Sequence, residues 1–249
     1  MYLKGIFCEV LARQAYYAAA LSPHVVDVEL VNKGLHDTPE VLRADLQRRL
    51  NAIERDWYDA VLLGYGLCSN SIVGLVCPHT RMVVPRAHDC ITLYLGSKER
   101  YADEFRATPG TYWYTADYIE RSRDDDGRVA LGAAGEKDMS VVYQEYVEKY
   151  GRDNADYLME VMGAWRAHYS RAAYIEAEEM PLPDYVAQVQ EQAARRGWVF
   201  EKLAGSIIIL RDLIEGRWDD ERFLIVSPRR TLVPTYDARI IREADSPEG

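Results

Sequence analysis

The first 115 residues alternate between short apolar runs and longer amphipathic segments. Apolar runs of about four to eight residues favour strands, whereas apolar residues spaced three or four apart favour helices. We predict strands at 5–11, 25–31, 60–64, 81–85 and 111–114, with helices at 12–21, 39–55 and 88–106 between them. Strands that alternate with helices of this length predict an α/β fold with a mainly parallel sheet and flanking helices.

The remainder of the chain divides into a polar segment, a helical region and a second alternating region. Residues 121–137 are polar and carry three consecutive aspartates, which is typical of a surface loop. Helices are predicted at 140–150, 153–169, 183–196 and 207–216, and strands at 172–177, 198–203 and 223–226. We therefore divide the chain into residues 1–115, 116–170 and 171–249. Two similar lobes joined by a helical insertion and a single continuous sheet both fit this order.

Composition and charge narrow the class of partner. The chain has 249 residues, a formal net charge of -10 and a pI of about 5.1. An acidic protein is a poor ligand for nucleic acids and anionic membranes, because both are bound through positive charge. No apolar run reaches the roughly 20 residues that span a bilayer, and the first residues lack the pattern of a signal peptide. We expect a cytoplasmic protein whose four cysteines are not disulfide-bonded.

Three of the four cysteines follow predicted strands at the point where each strand ends. In parallel α/β sheets, ligands bind beyond the carboxyl ends of the strands. Cys8 and Glu9 lie towards the end of the first predicted strand, Cys68 follows the third, and His88 and Cys90 follow the fourth. Cys77 instead precedes a strand and is expected near the opposite edge. The sequence therefore predicts a site of three thiols and one imidazole at one edge of the sheet.

This set of side chains favours a soft metal. Thiolates are soft ligands and imidazole is borderline, so the four residues suit tetrahedral Zn²⁺ or an iron–sulfur cluster. Glu9 and Asp89 adjoin the set and are predicted to orient the ring of His88. Histidines in loops, His36 among them, are interpreted as surface residues. Burial of Cys8 in the core is the alternative, because free cysteine is among the most buried residue types.

Cys90 has a second predicted property, because it stands at the start of a helix. The partial positive charge of a helix N-terminus stabilises a thiolate, so we expect the pKa of Cys90 to be lowered. Cys90 with His88 as its partner is then a candidate catalytic pair.

The loop after the third strand is a candidate for substrate binding. Ser69, Asn70 and Ser71 follow two glycines there, and backbone N–H groups of such loops can bind phosphate or carboxylate. Arg86 adjoins the cysteines and is predicted to bind an anionic part of the substrate. A tight strand-to-helix turn explains the loop equally well.

Several blocks of the sequence are distinctive. They are Gly-Tyr-Gly-Leu-Cys-Ser-Asn at 64–70, Pro-Arg-Ala-His-Asp-Cys-Ile-Thr at 85–92, Leu-Gly-Ser at 95–97, Arg-Tyr at 100–101, Gly-Thr-Tyr-Trp at 110–113, Tyr-Gly at 150–151 and Asn-Ala at 154–155. Over most of the chain, these blocks resemble the family called domain of unknown function 1638. The family has no settled activity, but its members are often found beside corrinoid-dependent methyltransferase systems. The resemblance implies a role beside a corrinoid protein or a methyltransferase.

A narrower likeness concerns the chemistry of the site. The spacing of His88 and Cys90 is similar to half of the zinc site in methylcobalamin:coenzyme M methyltransferases, in which zinc activates a thiol. Those enzymes are longer and are built on a TIM barrel.

Three functions remain open at this point. The leading hypothesis is a metal-binding enzyme or accessory protein of one-carbon, corrinoid-linked metabolism that acts on a small anionic or thiol substrate. As an enzyme it would be a metal-dependent transferase. The first alternative is a non-catalytic carrier or chaperone for a corrinoid or another tetrapyrrole. The second is a metal-free enzyme with Cys90 as its nucleophile.

Overall fold

The structure is a computed structural model, which describes residues 1–121 and 169–246. It divides into two compact units. Unit 1 comprises Met1–Ala102, Ala177–Leu182 and Ala204–Gly249, and unit 2 comprises Asp103–Glu176 and Pro183–Leu203. Apart from Tyr169, the helical region predicted at 140–169 lies outside the described residues.

Unit 1 is built on a five-stranded sheet with the order β2-β1-β3-β4-β8. Its strands are β1 (Tyr2–Cys8), β2 (Val25–Val31), β3 (Ala60–Gly64), β4 (Met82–Pro85) and β8 (Phe223–Val226). The first four strands run parallel, and β8 is antiparallel to β4. β3 and β4 are buried throughout, as expected for apolar runs in the middle of a sheet. The predicted α/β fold with a mainly parallel sheet is confirmed.

Helices follow most of the parallel strands of unit 1. They are α1 (Ala12–Leu21) after β1, α2 (Pro39–Asn51) after β2, and α3 (Cys90–Leu95) and α4 (Lys98–Ala107, which ends in unit 2) after β4. A further helix of unit 1, α7 (Ile208–Ile214), precedes β8. The single helix predicted at 88–106 is divided into α3 and α4 at Gly96, whose φ is +75°. A Cβ at Gly96 would lie 2.9 Å from Cβ of Ser206, so the break allows the chain to pass close to that residue.

An antiparallel hairpin near the end of the chain was not predicted. It consists of β9 (Arg230–Pro234) and β10 (Ile241–Asp245), with Ile241 opposite Pro234 and Asp245 opposite Arg230. Both strands are only partly buried and carry several polar residues, so they lack the apolar runs by which the other strands were recognised.

Unit 2 contains a three-stranded sheet with the order β5-β6-β7. Its elements are β5 (Thr111–Tyr114), α5 (Ala116–Glu120), β6 (Arg171–Ala177), α6 (Val186–Arg196) and β7 (Val199–Gly205). β5 and β6 pair in parallel, with Tyr112 opposite Ala172 and Tyr114 opposite Tyr174. These four residues form a core with Val189 and Ala193 of α6.

The two units do not coincide with the predicted division at residues 115 and 170. β5 was assigned to the first part of the chain, but it pairs with β6 from the last part. β8 was assigned to the last part, but it pairs with β4 from the first. Both pairings join residues distant in sequence, so each unit combines segments that the predicted division separates. Within the described residues, no helix is long and apolar enough to cross a membrane.

Candidate functional site

The site predicted at the strand ends lies where the direction of the sheet connections reverses. From β1 the chain moves outward to β2 and then returns past β1 to β3 and β4. In open α/β sheets, a crevice forms at such a reversal, beyond the carboxyl ends of the two strands concerned. Phe7 lies opposite Gly64 in the register of β1 and β3, so Cys8 and Tyr65 follow at this crevice.

Backbone contacts join the loop after β3 to the segment after β4. The N–H groups of Leu67 and Cys68 donate to the carbonyls of Ala87 and His88, both at 2.9 Å. A Cβ at position 66 would lie 2.6 Å from the backbone nitrogen of Asp89. Only glycine permits this approach, since a backbone atom cannot move aside as a flexible side chain can. Cys68 is thereby held beside the segment that carries Cys90.

The loop that carries Cys68 has an uncommon backbone. Cys68, Ser69 and Asn70 have φ values of 44°, 57° and 64°, so three consecutive non-glycine residues are left-handed. The N–H of Ser71 closes this turn by donating to the carbonyl of Leu67 at 3.0 Å. Each left-handed residue costs roughly 1–2 kcal/mol, and such strain concentrates at functional sites. This turn is a feature that the predicted strand-to-helix turn did not include.

The three cysteines after the strand ends influence one another electrostatically. Burial raises the pKa of Cys68, and the negative charges of Asp89 and Cys8 raise it further. Burial, Asp89, Cys68 and Cys8 together raise the pKa of Cys90 well above its ordinary value. Cys8 is almost fully buried, whereas Cys68 and Cys90 are partly exposed. We call Cys8, Cys68 and Cys90 the three-cysteine cluster.

The expectation that a helix N-terminus lowers the pKa of Cys90 was therefore wrong. Helix α3 is only six residues long, and its N-cap is Asp89. Oδ1 of Asp89 accepts from the backbone N–H of Ile91 at 3.0 Å and from that of Thr92 at 3.4 Å. The free N–H groups of the helix are thus satisfied by a carboxylate, whose charge disfavours a thiolate beside it.

The two carboxylates predicted to orient His88 have other partners. Oδ2 of Asp89 accepts from the hydroxyl of Tyr101 at 2.8 Å, and burial raises the pKa of Asp89 despite this hydrogen bond. Oε1 of Glu9 accepts from the backbone N–H of Lys33 at 2.9 Å, which joins the ends of β1 and β2. Asp89 is consequently part of the cluster's surroundings, and Glu9 fixes the loop after β2.

The histidine in contact with a thiol is His36. Its Nε2 lies 3.3 Å from Sγ of Cys8, and its ring stacks on that of Tyr65 with centroids 5.8 Å apart and planes at 19°. His88 is exposed, and its backbone carbonyl accepts the hydrogen bond from Cys68. His36 was interpreted as a surface residue, and the structure shows it partly buried and in contact with Cys8. A signal existed, because His36 lies in the 3-10 turn just after β2, at the same edge of the sheet.

Tyr65 is a further residue of the site that was not predicted. Its side chain is 1% exposed, and its hydroxyl makes no hydrogen bond within the described residues. Burial raises the pKa of Tyr65 well above its ordinary value, and the charges of Cys8 and Cys68 raise it further. The hydroxyl is therefore a buried, unsatisfied donor that belongs to the surroundings of the cluster.

The candidate substrate-binding residues occupy different environments. Arg86 is 4% exposed, and its guanidinium donates to four backbone carbonyls and to Asp220. Ser69 and Asn70 are exposed, whereas Ser71 is fully buried and its hydroxyl is directed at the carbonyl of Leu67. Only Ser69 and Asn70 present side chains to a ligand in this arrangement, and the role of all four in substrate binding stays a prediction.

Cys77 occupies a separate place in unit 1. It is 1% exposed, and its carbonyl accepts from the N–H of Arg229 at 2.9 Å. The preceding residue, Val76, forms a bridge with Thr231 of β9. Cys77 thus packs beneath the hairpin, which makes it a suitable control for the other three cysteines.

The resting side chains are not arranged as a metal site. Among residues 1–121 and 169–246, no group of three or more His, Cys, Asp or Glu side chains has the spacing that would hold a metal ion. The three-cysteine cluster is therefore not a preformed metal site in this structure.

Comparison with known proteins gives one match. The model of a family described as a protein of unknown function (DUF1638) matches residues 30–214. This range includes Cys68 and Cys90 but not Cys8. A search of curated proteins and a search of solved structures found no significant match.

Proposed function

The chain belongs to this family of proteins of unknown function, so its activity has to be argued from the site, and we propose that the three-cysteine cluster binds a soft transition-metal ion. The observation that carries the proposal is the convergence of three thiols from the ends of three adjacent strands. Sulfur ligands of this kind are typical of Zn²⁺ sites and of iron–sulfur clusters.

Three further features support a binding role over simple burial of cysteines. The cluster lies at the reversal of the sheet connections, where α/β proteins bind their ligands. Cys68 begins the strained left-handed turn, which a purely structural loop would have no reason to retain. Cys68 and Cys90 are also less buried than the residues of the core, so the cluster lies near the protein surface.

His36 is the fourth side chain that we place in this metal site. Its Nε2 already lies within hydrogen-bond distance of Cys8, whereas His88, the histidine expected from the sequence, is exposed. Three protein thiols and one histidine match the sulfur-rich zinc sites of proteins, and three thiols alone leave one position open for a substrate. Both arrangements are compatible with a metal-dependent transferase.

Metal analysis of the anaerobically purified, reduced protein tests the proposal. We expect close to one equivalent of zinc, or iron with sulfide, and less than about 0.2 equivalents of any transition metal would contradict it. Replacing Cys8, Cys68 or Cys90 by serine should abolish binding, and the control Cys77→Ser should retain it. Equal loss in the control would show that the cysteines act through folding instead.

A matched pair of histidine variants identifies the fourth ligand. His36→Ala should lower the affinity for Zn²⁺ by roughly tenfold or more, whereas His88→Ala should leave it unchanged. The reverse result would restore His88 to the site. Competition with a chromogenic zinc chelator measures both affinities.

The sequence also suggested a metal-free nucleophile and several ligands and partners. A metal-free nucleophile requires a thiolate, and burial together with Asp89 raises the pKa of Cys90, which disfavours that form. A corrinoid ligand, a corrinoid-protein or methyltransferase partner and a small anionic or thiol substrate stay predictions from the family resemblance and the sequence.

A further inference from the structure

Cys8 and His36 form a close thiol–imidazole pair at the crevice beyond the strand ends. Nε2 of His36 lies 3.3 Å from Sγ of Cys8. When Nδ1 carries the ring proton, Nε2 accepts the proton of the thiol and leaves a thiolate, which is the nucleophilic form of cysteine. A nucleophile in contact with a base is the arrangement used in covalent catalysis. The sequence suggested such a pair in Cys90 and His88, and the structure forms it from two other residues.

Both members of this pair are held in place by the fold. Cys8 is the last residue of β1, which is hydrogen-bonded to β2 on one side and to β3 on the other. His36 lies in the 3-10 turn after β2, and its ring stacks on that of Tyr65 with centroids 5.8 Å apart and planes at 19°. Tyr65 is 1% exposed and follows β3 directly. Groups fixed in this way need little further ordering before they react.

The burial of Cys8 restricts the reagents that reach its sulfur. The residue is 3% exposed, and Val10 and Leu11, which follow it, are also buried. A large electrophile would have to displace core residues, whereas hydrogen peroxide is little bigger than a water molecule and needs only a brief local opening. Peroxide also reacts typically with thiolates, which it converts to sulfenic acids. The surroundings of Cys8 therefore favour a small peroxide as the electrophile.

Two further thiols lie within electrostatic range of Cys8. Burial raises the pKa of Cys68 and that of Cys90, and the negative charges of Asp89 and Cys8 raise both further. The three cysteines follow β1, β3 and β4, which are adjacent in the sheet. A sulfenic acid at Cys8 would therefore have a thiol near it, and these two groups condense readily to a disulfide.

We propose that Cys8, with His36 as its base, is oxidised by hydrogen peroxide and then forms a disulfide with a second thiol of the three-cysteine cluster. The thiolate sulfur attacks one peroxide oxygen, the O–O bond breaks, and the leaving hydroxide takes the proton from His36 to become water. The sulfur of Cys68 or Cys90 then attacks Sγ of Cys8, the S–O bond breaks, and the hydroxide leaves with the proton of the attacking thiol as a second water. Two electrons from two thiols thus reduce one peroxide to two waters.

Peroxide treatment of the reduced, metal-free protein tests the proposal. Remaining thiols are counted, and the cysteine peptides are identified by mass spectrometry. We expect the loss of two of the four thiols and a disulfide that joins Cys8 to Cys68 or to Cys90. The control Cys77→Ser should show the same disulfide. When Cys68 and Cys90 are both replaced by serine, no thiol can complete the reaction, and dimedone should trap the sulfenic acid at Cys8.

A matched pair of histidine variants tests the base. His36→Gln should slow the oxidation of Cys8 by roughly a hundredfold, because a general base contributes typically about 10²–10⁴-fold. His88→Gln, which changes the exposed histidine, should react at the wild-type rate. The urea midpoint of each variant shows whether it folds as the wild type does. A normally folded His36→Gln that reacts at the wild-type rate would reject His36 as the base.

Other outcomes overturn the proposal as a whole. Oxidation of Cys8 no faster than that of Cys77 would do so, as would a disulfide between Cys68 and Cys90 that leaves Cys8 reduced. The reaction goes beyond the proposed metal site, although both use the same side chains. Because it is measured without metal, its failure leaves the metal proposal intact, and a protein that binds no metal but forms this disulfide would reject the metal site alone.

Discussion

Arg86 adjoins the candidate site in sequence, and its contacts predict that replacing it will destabilise the protein. Its Nε donates to the carbonyls of Asp220 and Phe223 at 2.9 and 3.2 Å. Nη1 donates to the carbonyls of Arg239 and Ile241, and Nη2 donates to the carboxylate of Asp220 at 2.9 Å. One guanidinium therefore joins the end of β4 to the segment before β8, to β8 itself and to the hairpin.

The magnitude follows from the groups that Arg86→Met would leave unsatisfied. The hydrogen bonds to Phe223 and Ile241 are buried, and an orphaned buried carbonyl costs about 1–3 kcal/mol. Two such carbonyls together cost about 2–6 kcal/mol, and the exposed Asp220 adds little. We expect a loss within this range, since methionine keeps most of the aliphatic packing. With an m-value of about 2 kcal/mol/M, the urea midpoint would fall by about 1–3 M.

Urea unfolding followed by tryptophan fluorescence and circular dichroism measures the effect. Asp220→Asn is the matched control, because it removes the only charged partner of the guanidinium that we identify, and that carboxylate is 70% exposed. The control should lose much less stability than Arg86→Met. An unchanged midpoint in Arg86→Met would refute the reasoning and favour the role in binding an anionic substrate that the sequence suggested.

Two further predictions concern the strained turn and an ion-pair network. Ser69→Gly should stabilise the protein by about 1 kcal/mol, because the Cβ of Ser69 makes its left-handed backbone unfavourable and its exposed side chain can be removed at little cost. An unchanged or lower urea midpoint would show that the turn is not strained. Burial alone would raise the pKa of Asp45, but hydrogen bonds from Arg49 and Arg48 lower it below its ordinary value. The Asp45 carboxylate therefore stabilises the folded protein above about pH 4, and this stabilisation is lost as the pH falls through the folded-state pKa. Asp45→Asn should therefore be less stable than the wild type at pH 7 but equally stable at about pH 2, and a constant difference across this range, measured by urea unfolding, would contradict the assignment.

The elements that could be predicted from sequence are those with a strong local signal. The strands at 60–64, 111–114 and 223–226 match the structure because each is a short, mainly apolar or aromatic run, and the strand at 25–31 matches because its apolar and charged residues alternate. The hairpin of β9 and β10 has no such run, since its strands are half polar and gain their structure by pairing with each other. The division into units could not be predicted, because β5–β6 and β4–β8 pair across long sequence separations.

The features of the candidate site that could be predicted are likewise those with a local signal in the sequence. Cys8, Cys68 and Cys90 were found because each follows a strand, and the order of strands brings these ends together. Arg86 follows a strand in the same way, but its partners lie at 220–241, and nothing near it in sequence indicates them. A location just after a strand therefore predicts where a residue lies in the fold. The direction of a long side chain depends on contacts with segments that are distant in sequence.

The sheet order also decides which part of the chain the site requires. The family match begins at residue 30 and omits β1, yet β1 is hydrogen-bonded to β2 on one side and to β3 on the other. Without β1, β2 would lose its neighbour in the sheet, β3 would keep only β4, and the reversal of connections that creates the crevice would not exist. Cys8 ends that same strand, and the contact of His36 with the cluster is made through Cys8. The strand β1 therefore supplies the third thiol and also holds the sheet of the matched region together. We expect a fragment restricted to residues 30–214 to lose both the sheet and the site.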